Sequence, residues 1–146
     1  MNSKQKGNIA VGQALSYFTK EGYYIFLPVS DNGGTIDLIV SKNGKYLQRV
    51  QCKYTERRHR SMLLKYPERE IYDFRLTRLK EHYKIGKKHY FGKSYQSNDF
   101  DLLFLSCPKG SYMIDWESYC KNHHKQYKHP PLTIAAGKTL EKYKVL

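Results

Sequence analysis

The sequence predicts an α/β fold: one domain built on a central mixed β-sheet flanked by helices. Three observations carry this reading. An apolar stripe at helical spacing opens the chain, an Asn-Gly turn joins two strand patterns, and the order of elements runs helix, strand, hairpin, then further strands. A length of 146 residues suits a single hydrophobic core. We expect one domain over residues 1–146, with a core at about 5–120 and a basic C-terminal tail at 121–146.

Residues 5–21 read as a helix because Val11, Ala14, Leu15 and Phe18 fall on one face, and Gly22 follows as a stop. Tyr23 to Val29 is an aromatic and β-branched run that reads as a strand, with Pro28 marking an edge or an end. Ser30 to Gly34 is a turn or loop. Thr35 to Ser41 and Tyr46 to Tyr54 then form the two arms of a hairpin around Asn43-Gly44, residues that tolerate positive φ. Thr55 to Tyr66 is basic and irregular, and Ile71 to Leu76 alternates in part as a strand would. Residues 77–100, rich in Lys, His, Tyr and Gly, show no clean period and read as loops with one short helix. Asp101 to Cys107 is a buried strand, Pro108-Lys109-Gly110 a turn, Ser111 to Asp115 its hairpin partner, and Trp116 to Lys121 the start of a short helix. Pro130-Pro131 marks a late loop, and neither repeats nor low-complexity segments occur.

Charge narrows the partner. Lys and Arg number 26 against 13 Asp and Glu, a formal charge of +13. Such an excess fits an anionic partner, most often a phosphate backbone. A membrane surface would call for a basic amphipathic helix, and the basic residues are instead scattered. The apolar cluster Leu102 to Leu105 is too short to span a bilayer. The first residues, Met-Asn-Ser-Lys-Gln-Lys, lack the apolar run of a signal peptide. Three cysteines, Cys52, Cys107 and Cys120, without framework spacing suit a reducing intracellular compartment (cytoplasm, nucleoid or organelle). Most of the fourteen tyrosines are expected to cover the core with their rings and keep their hydroxyls wet.

The chemistry concentrates on the hairpin. Asp37 interrupts the apolar run Ile36-Asp37-Leu38-Ile39-Val40, where a carboxylate needs a cation or metal. On the other arm Gln51 and Lys53 are two apart and share a face. A strict two-residue turn sets Asp37 opposite Val50, whereas a one-residue bulge or offset sets it opposite Gln51. In the second register Asp37, the Gln51 amide oxygen and the Cys52 carbonyl could hold a hard divalent cation, with Lys53 beside it to stabilise charge on a phosphoryl group. A cross-strand ion pair between Asp37 and Lys53 is the alternative use of the same residues.

Lys6-Gly7 opening a helix, then a strand, then Asp37 with thirteen residues before Gln51-Cys52-Lys53, resembles the PD-(D/E)XK nuclease superfamily. The segment from Lys6 to Tyr54 resembles the small PD-(D/E)XK homing endonucleases encoded by group I introns, and the strands at Phe100–Leu103 and Tyr112–Asp115 are similar to the back half of that family. The resemblance implies a restriction-endonuclease-like core and a Mg²⁺-dependent (alternatively Mn²⁺-dependent) site-specific double-strand DNA endonuclease. Asp37, Gln51 and Lys53 become the catalytic set, with Asp37, Gln51 and Cys52 around the metal. It also implies a homo-oligomer, a dimer or dimer of dimers, because two centres are needed to cut both strands. The chain departs from the pattern at three points. Ile36 stands where Pro is usual, Gln51 replaces an acid, and Ala10-Val11-Gly12 lacks the first-helix glutamate of many relatives, for which Glu21 at the far end is a poor substitute. A Holliday-junction or other structure-specific nuclease, and a basic DNA-binding module with a decayed site, are the alternative readings.

Arg57, Arg58 and Arg60 follow the site strand and Lys4 and Lys6 open the helix, so these are the expected phosphate contacts. Lys80, Lys84, Lys87 and Lys88 with Tyr83 and Tyr90 mix charge and aromatics as a DNA-facing surface would. Cys107, Cys120, His123 and His129 pose a zinc reading, disfavoured because Cys107 lies in a strand and no second close pair exists. His59 and His123-His124 lack the companion spacing of a histidine-based nuclease.

Overall fold

A computed structural model of the chain describes residues 1–29, 34–67, 69–84 and 87–146, and their side chains except those of 62, 78–84 and 87–92. Helix α1 spans Ser3–Lys20 and starts on a capping box, in which Asn2 and Gln5 satisfy each other's backbone N–H groups. It ends where Gly22 takes φ 72°, a left-handed turn that glycine adopts without strain. Its fully buried stripe is Ala10, Ala14 and Phe18, with Val11 and Tyr17 packed beside it. Leu15 is only half-buried, so the inward face is rotated slightly from the expected one.

The central sheet has five strands in the order β1 (Tyr24–Phe26), β2 (Leu38–Ser41), β3 (Gln48–Tyr54), β7 (Leu102–Cys107), β8 (Gly110–Asp115). Every neighbouring pair is antiparallel except β3 and β7, which run parallel with Gln51 opposite Leu103 and Lys53 opposite Leu105. This is the mixed sheet the sequence predicts. The first strand is shorter than the expected Tyr23–Val29 and occupies the edge, before Pro28. The loop expected at Ser30 to Gly34 lies almost wholly outside the described residues.

Alternation sorts the sheet into two faces. Leu38, Val40, Val50, Cys52, Leu102 and Phe104 pack against α1. Leu103, Leu105, Tyr112 and Ile114 face the other way, onto Tyr72, Phe74, Leu76, Tyr95, Phe100 and Trp116. A two-stranded antiparallel pair supports this second core: β4 (Tyr72–Arg75) with β9 (Thr133–Ala136). Residues 121–146 carry the end of α3 (Trp116–His124), then β9 and a 3-10 turn at Glu141–Tyr143, and Ile134, Ala136 and Leu140 sit in that core. The C-terminal residues bond β8, with Ser111 N–H donating to the Leu146 carbonyl at 3.1 Å and Val145 N–H to the Ser111 carbonyl at 2.9 Å.

Between β3 and β7 the crossover carries α2 (Arg60–Lys65), β4, and the strands β5 (Thr77–Lys84) and β6 (Lys87–Ser94). The expectation of loops and one short helix over 77–100 is therefore incorrect for 77–84 and 87–94, which form an eight-pair antiparallel ribbon. A strand is recognised by alternation of apolar and polar residues, and this ribbon alternates mainly in charge, so its period escapes a hydrophobicity reading.

Candidate active site on the β2–β3 hairpin

The hairpin register decides whether the expected residues meet. Asn43 Oδ1 accepts from the N–H groups of Lys45 (3.0 Å) and Tyr46 (3.1 Å), and Gly44 takes φ 74°. The connection is thus longer than a two-residue turn. Leu38 pairs with Val50 and Val40 with Gln48. Continued by one residue this ladder would set Asp37 opposite Gln51; Asp37 itself lies just before β2, and its N–H donates to the Val50 carbonyl at 2.9 Å. This is the offset register that brings the two side chains to one face.

Asp37 Oδ2 accepts from the Cys52 N–H at 2.6 Å and from the Gln51 side-chain amide. The same Gln51 Nε2 donates to the Cys52 carbonyl at 3.0 Å. Carboxylate and carbonyl oxygens therefore converge on a single atom, and Gln51 is buried, 7% exposed. The Cys52 side chain points to the α1 face, where burial first and Asp37 second push its thiol far up, so it stays protonated and is no nucleophile. Only its backbone belongs to the site.

Lys53 lies on the Gln51 face. Its Nζ donates to the Thr77 carbonyl at 3.5 Å and sits 5.0 Å from the centre of the Tyr95 ring. Burial lowers its pKa, and the nearby Asp37 charge works in the opposite direction. Thr77 and Tyr95 escaped the sequence reading because they reach Lys53 only through tertiary folding. Both come from the ends of the β5–β6 ribbon, more than twenty positions away in the chain.

Beyond the end of β3 a cleft of about 560 Å³ opens between the α1 N-terminus and β4. Ser3, Lys6, Gly7, Lys53, Arg57, Asp73 and Arg75 line it. Lys6 pairs with Glu56 at 3.8 Å, which ties the helix start to the strand end. Of the expected phosphate contacts, Lys6 and Arg57 face this cleft, while Lys4 and Arg60 are exposed but do not line it. Arg58 is engaged internally: its Nη2 donates to the carbonyls of Pro67 (2.8 Å) and Arg69 (3.2 Å). Asp73 and Arg75 were not singled out from sequence, although they alternate with the buried Tyr72 and Phe74 in β4. The first helix brings no acid to the site, since Glu21 caps its far end and its carbonyl binds Lys42.

Away from the cleft, His123 stacks on Tyr127 at 4.6 Å and lies 5.6 Å from His129. Among the described residues no group of three or more His, Cys, Asp or Glu could hold a metal. A centre at Asp37 would rest on one carboxylate with amide and backbone oxygens.

An acid beside a Gln-x-Lys strand, on a mixed sheet backed by a helix, defines the class: a nuclease-type α/β fold. The chain belongs to the PD-(D/E)XK endonuclease family, whose model matches residues 1–127. No curated protein matches it. Among solved structures it is similar to a bacterial homing endonuclease, I-Ssp6803I, with a TM-score of 0.68, 18% identity, and coverage of 94% of this chain and 80% of that one. At that identity the likeness is one of fold. Among the described residues no helix is long and apolar enough to cross a membrane.

Proposed function

We propose that the chain is a Mg²⁺-dependent, site-specific double-strand DNA endonuclease of the homing type, working as a homo-oligomer and using Asp37, Gln51 and Lys53. The observation that carries this reading is the convergence of Asp37 Oδ2 and the Cys52 carbonyl on one buried atom of Gln51. Nucleases of this family generally depend on a divalent metal. The donor set fits a hard cation: carboxylate, backbone carbonyl and an amide whose oxygen can replace its nitrogen. Bound there, Mg²⁺ would polarise a phosphate oxygen and lower the pKa of a water. Lys53 supplies positive charge beside the scissile phosphate, held by Thr77 and Tyr95 rather than by free rotation. Lys6 and Arg57 grip the backbone where it enters the cleft, with Lys4 and Arg60 further out. Cutting of supercoiled plasmid pools with Mg²⁺ or Mn²⁺, abolished by chelator, is the expected result; cutting that survives chelation would refute the metal-centred part.

The neutral Gln51 favours one second reading, a DNA-binding module with a decayed site. Calorimetry decides it. Tight, salt-sensitive DNA binding without any Mg²⁺ or Mn²⁺ binding would support the module.

A further inference from the structure

The β5–β6 ribbon pairs from Thr77↔Ser94 at its base to Lys84↔Lys87 at its far end. Directly opposite residues of an antiparallel ladder share a face, and successive residues alternate. The register therefore sorts the charges. Arg78, Lys80, Lys84, Lys87 and Lys93 fall on one face, together with His82 and His89. The opposite face takes Glu81 and Lys88, whose charges cancel, together with Tyr83 and Tyr90, so the single charged and aromatic surface expected from the sequence is divided between two faces. Five of the six Lys and Arg residues of these two strands thus share one side, with no acid among them.

The base of the ribbon adjoins the site. Tyr95 N–H donates to the Leu76 carbonyl at 3.4 Å, and both residues are buried, at 3% and 0% exposure. Lys53 Nζ contacts the Thr77 carbonyl and the Tyr95 ring, one from each strand's foot. Eight residues at about 3.4 Å each make an arm of roughly 27 Å, the rise of about eight base pairs. A two-stranded ribbon fits a major groove about 12 Å wide without deforming the duplex, whereas a minor groove of about 6 Å must first be widened.

We propose that β5–β6 is a DNA-reading arm: its basic face lies in the major groove of duplex DNA beside the bond held at Lys53, and its Glu81–Lys88 face turns outward. The proposal rests on duplex DNA being the partner, not on the chain cutting it.

The test is fluorescence anisotropy of the full chain on a random-sequence duplex in chelator, across a salt series. Lys87→Gln and Lys88→Gln remove equal charge from neighbouring positions on opposite faces. We expect Lys87→Gln to weaken binding and to reduce the log K against log salt slope by about 0.9, and Lys88→Gln to leave it unchanged. The triple change Arg78→Gln, Lys80→Gln, Lys84→Gln should reduce the slope by roughly 2–3. The same charge removed at the exposed Lys125, Lys128 and Lys138 should have little effect. Methyl green, a major-groove ligand, should compete with the wild type, and the minor-groove ligand netropsin should not. Equal behaviour of Lys87→Gln and Lys88→Gln, equal losses in the two triple variants, or competition by netropsin alone would overturn the arm. If the triple variant unfolds, as thermal melts would reveal, the single pair decides. Because binding is read in chelator, a chain that binds through the arm but never cuts would refute the nuclease reading and leave the arm standing.

Discussion

Changing Gln51 to Glu separates the two duties of the Gln51 amide. As the chain is built, Gln51 Nε2 donates to Asp37 Oδ2 and to the Cys52 carbonyl in a buried setting. Gln51→Glu removes that donor and sets a carboxylate against a carboxylate and a carbonyl. Two hydrogen bonds at about 1 kcal/mol each are lost, and like-charge contact worth one to two pKa units adds about 1.4–2.7 kcal/mol. Without metal the variant should therefore be less stable by about 3.4–4.7 kcal/mol at neutral pH, which is roughly 10–15 °C in Tm for a chain of this size. The penalty has a pH signature. The introduced carboxyl has a folded pKa raised above its unfolded value, so the like-charge part of the loss is complete above that raised pKa and disappears as the pH falls below about 4, leaving the hydrogen-bond part. With Mg²⁺ the order changes, because a second carboxylate strengthens a hard-cation site and metal bound only to the folded state raises Tm by mass action. Thermal unfolding in chelator and in excess Mg²⁺ measures both effects. An unchanged Tm in chelator, or a Mg²⁺-induced rise no larger than in the wild type, would contradict this role of the Gln51 amide.

Three further outcomes follow from the same contacts. Lys53→Ala should reduce cleavage by about 100- to 1,000-fold. It should also remove a pH dependence from stability: a lysine whose folded pKa is depressed destabilises the fold while it is charged, so the wild type should gain stability as pH rises towards the ordinary lysine value, and alkaline melts of the variant should lack that gain. Asp101 accepts from the Arg49 N–H at 2.7 Å and from its guanidinium at 3.0 and 3.1 Å, pinning β3 to the start of β7 and holding the Asp101 carboxyl below the usual range. Asp101→Asn should cost about 1–2 kcal/mol in urea unfolding at neutral pH, and the difference should shrink in acid as pH falls through the depressed Asp101 pKa. Gly110 has φ 143°, and a Cβ there would meet the Leu146 carbonyl oxygen at 2.5 Å. Gly110→Ala should therefore lower stability by about 1–3 kcal/mol and speed amide exchange at Ser111.

What could be read in advance depended on where each signal is stored. The α1 stripe, the Asn43-Gly44 connection and the apolar run of β7 are local patterns, and each element formed close to its expected place. The Asp37, Gln51 and Lys53 constellation was legible because strand alternation is itself local, but its register was open until the longer connection around Gly44 fixed it. The supporting contacts of Lys53 were not legible. Thr77 and Tyr95 arrive through a ribbon whose alternation is in charge, and neither sequence distance nor composition marks them. Helix α2, six residues long within a basic stretch, carries too short a stripe to register as periodic. Arg58 shows the converse limit: a run of arginines reads as one phosphate-binding patch, yet the Arg58 guanidinium is turned inward onto two carbonyls.

The most direct measurement compares wild type, Asp37→Asn and Lys53→Ala on duplex DNA that the wild type cuts in Mg²⁺, with all three proteins shown to be folded and to bind that DNA equally in chelator. Only the wild type should cleave at an appreciable rate. Either variant cutting at the wild-type rate would contradict a catalytic centre at Asp37, Gln51 and Lys53.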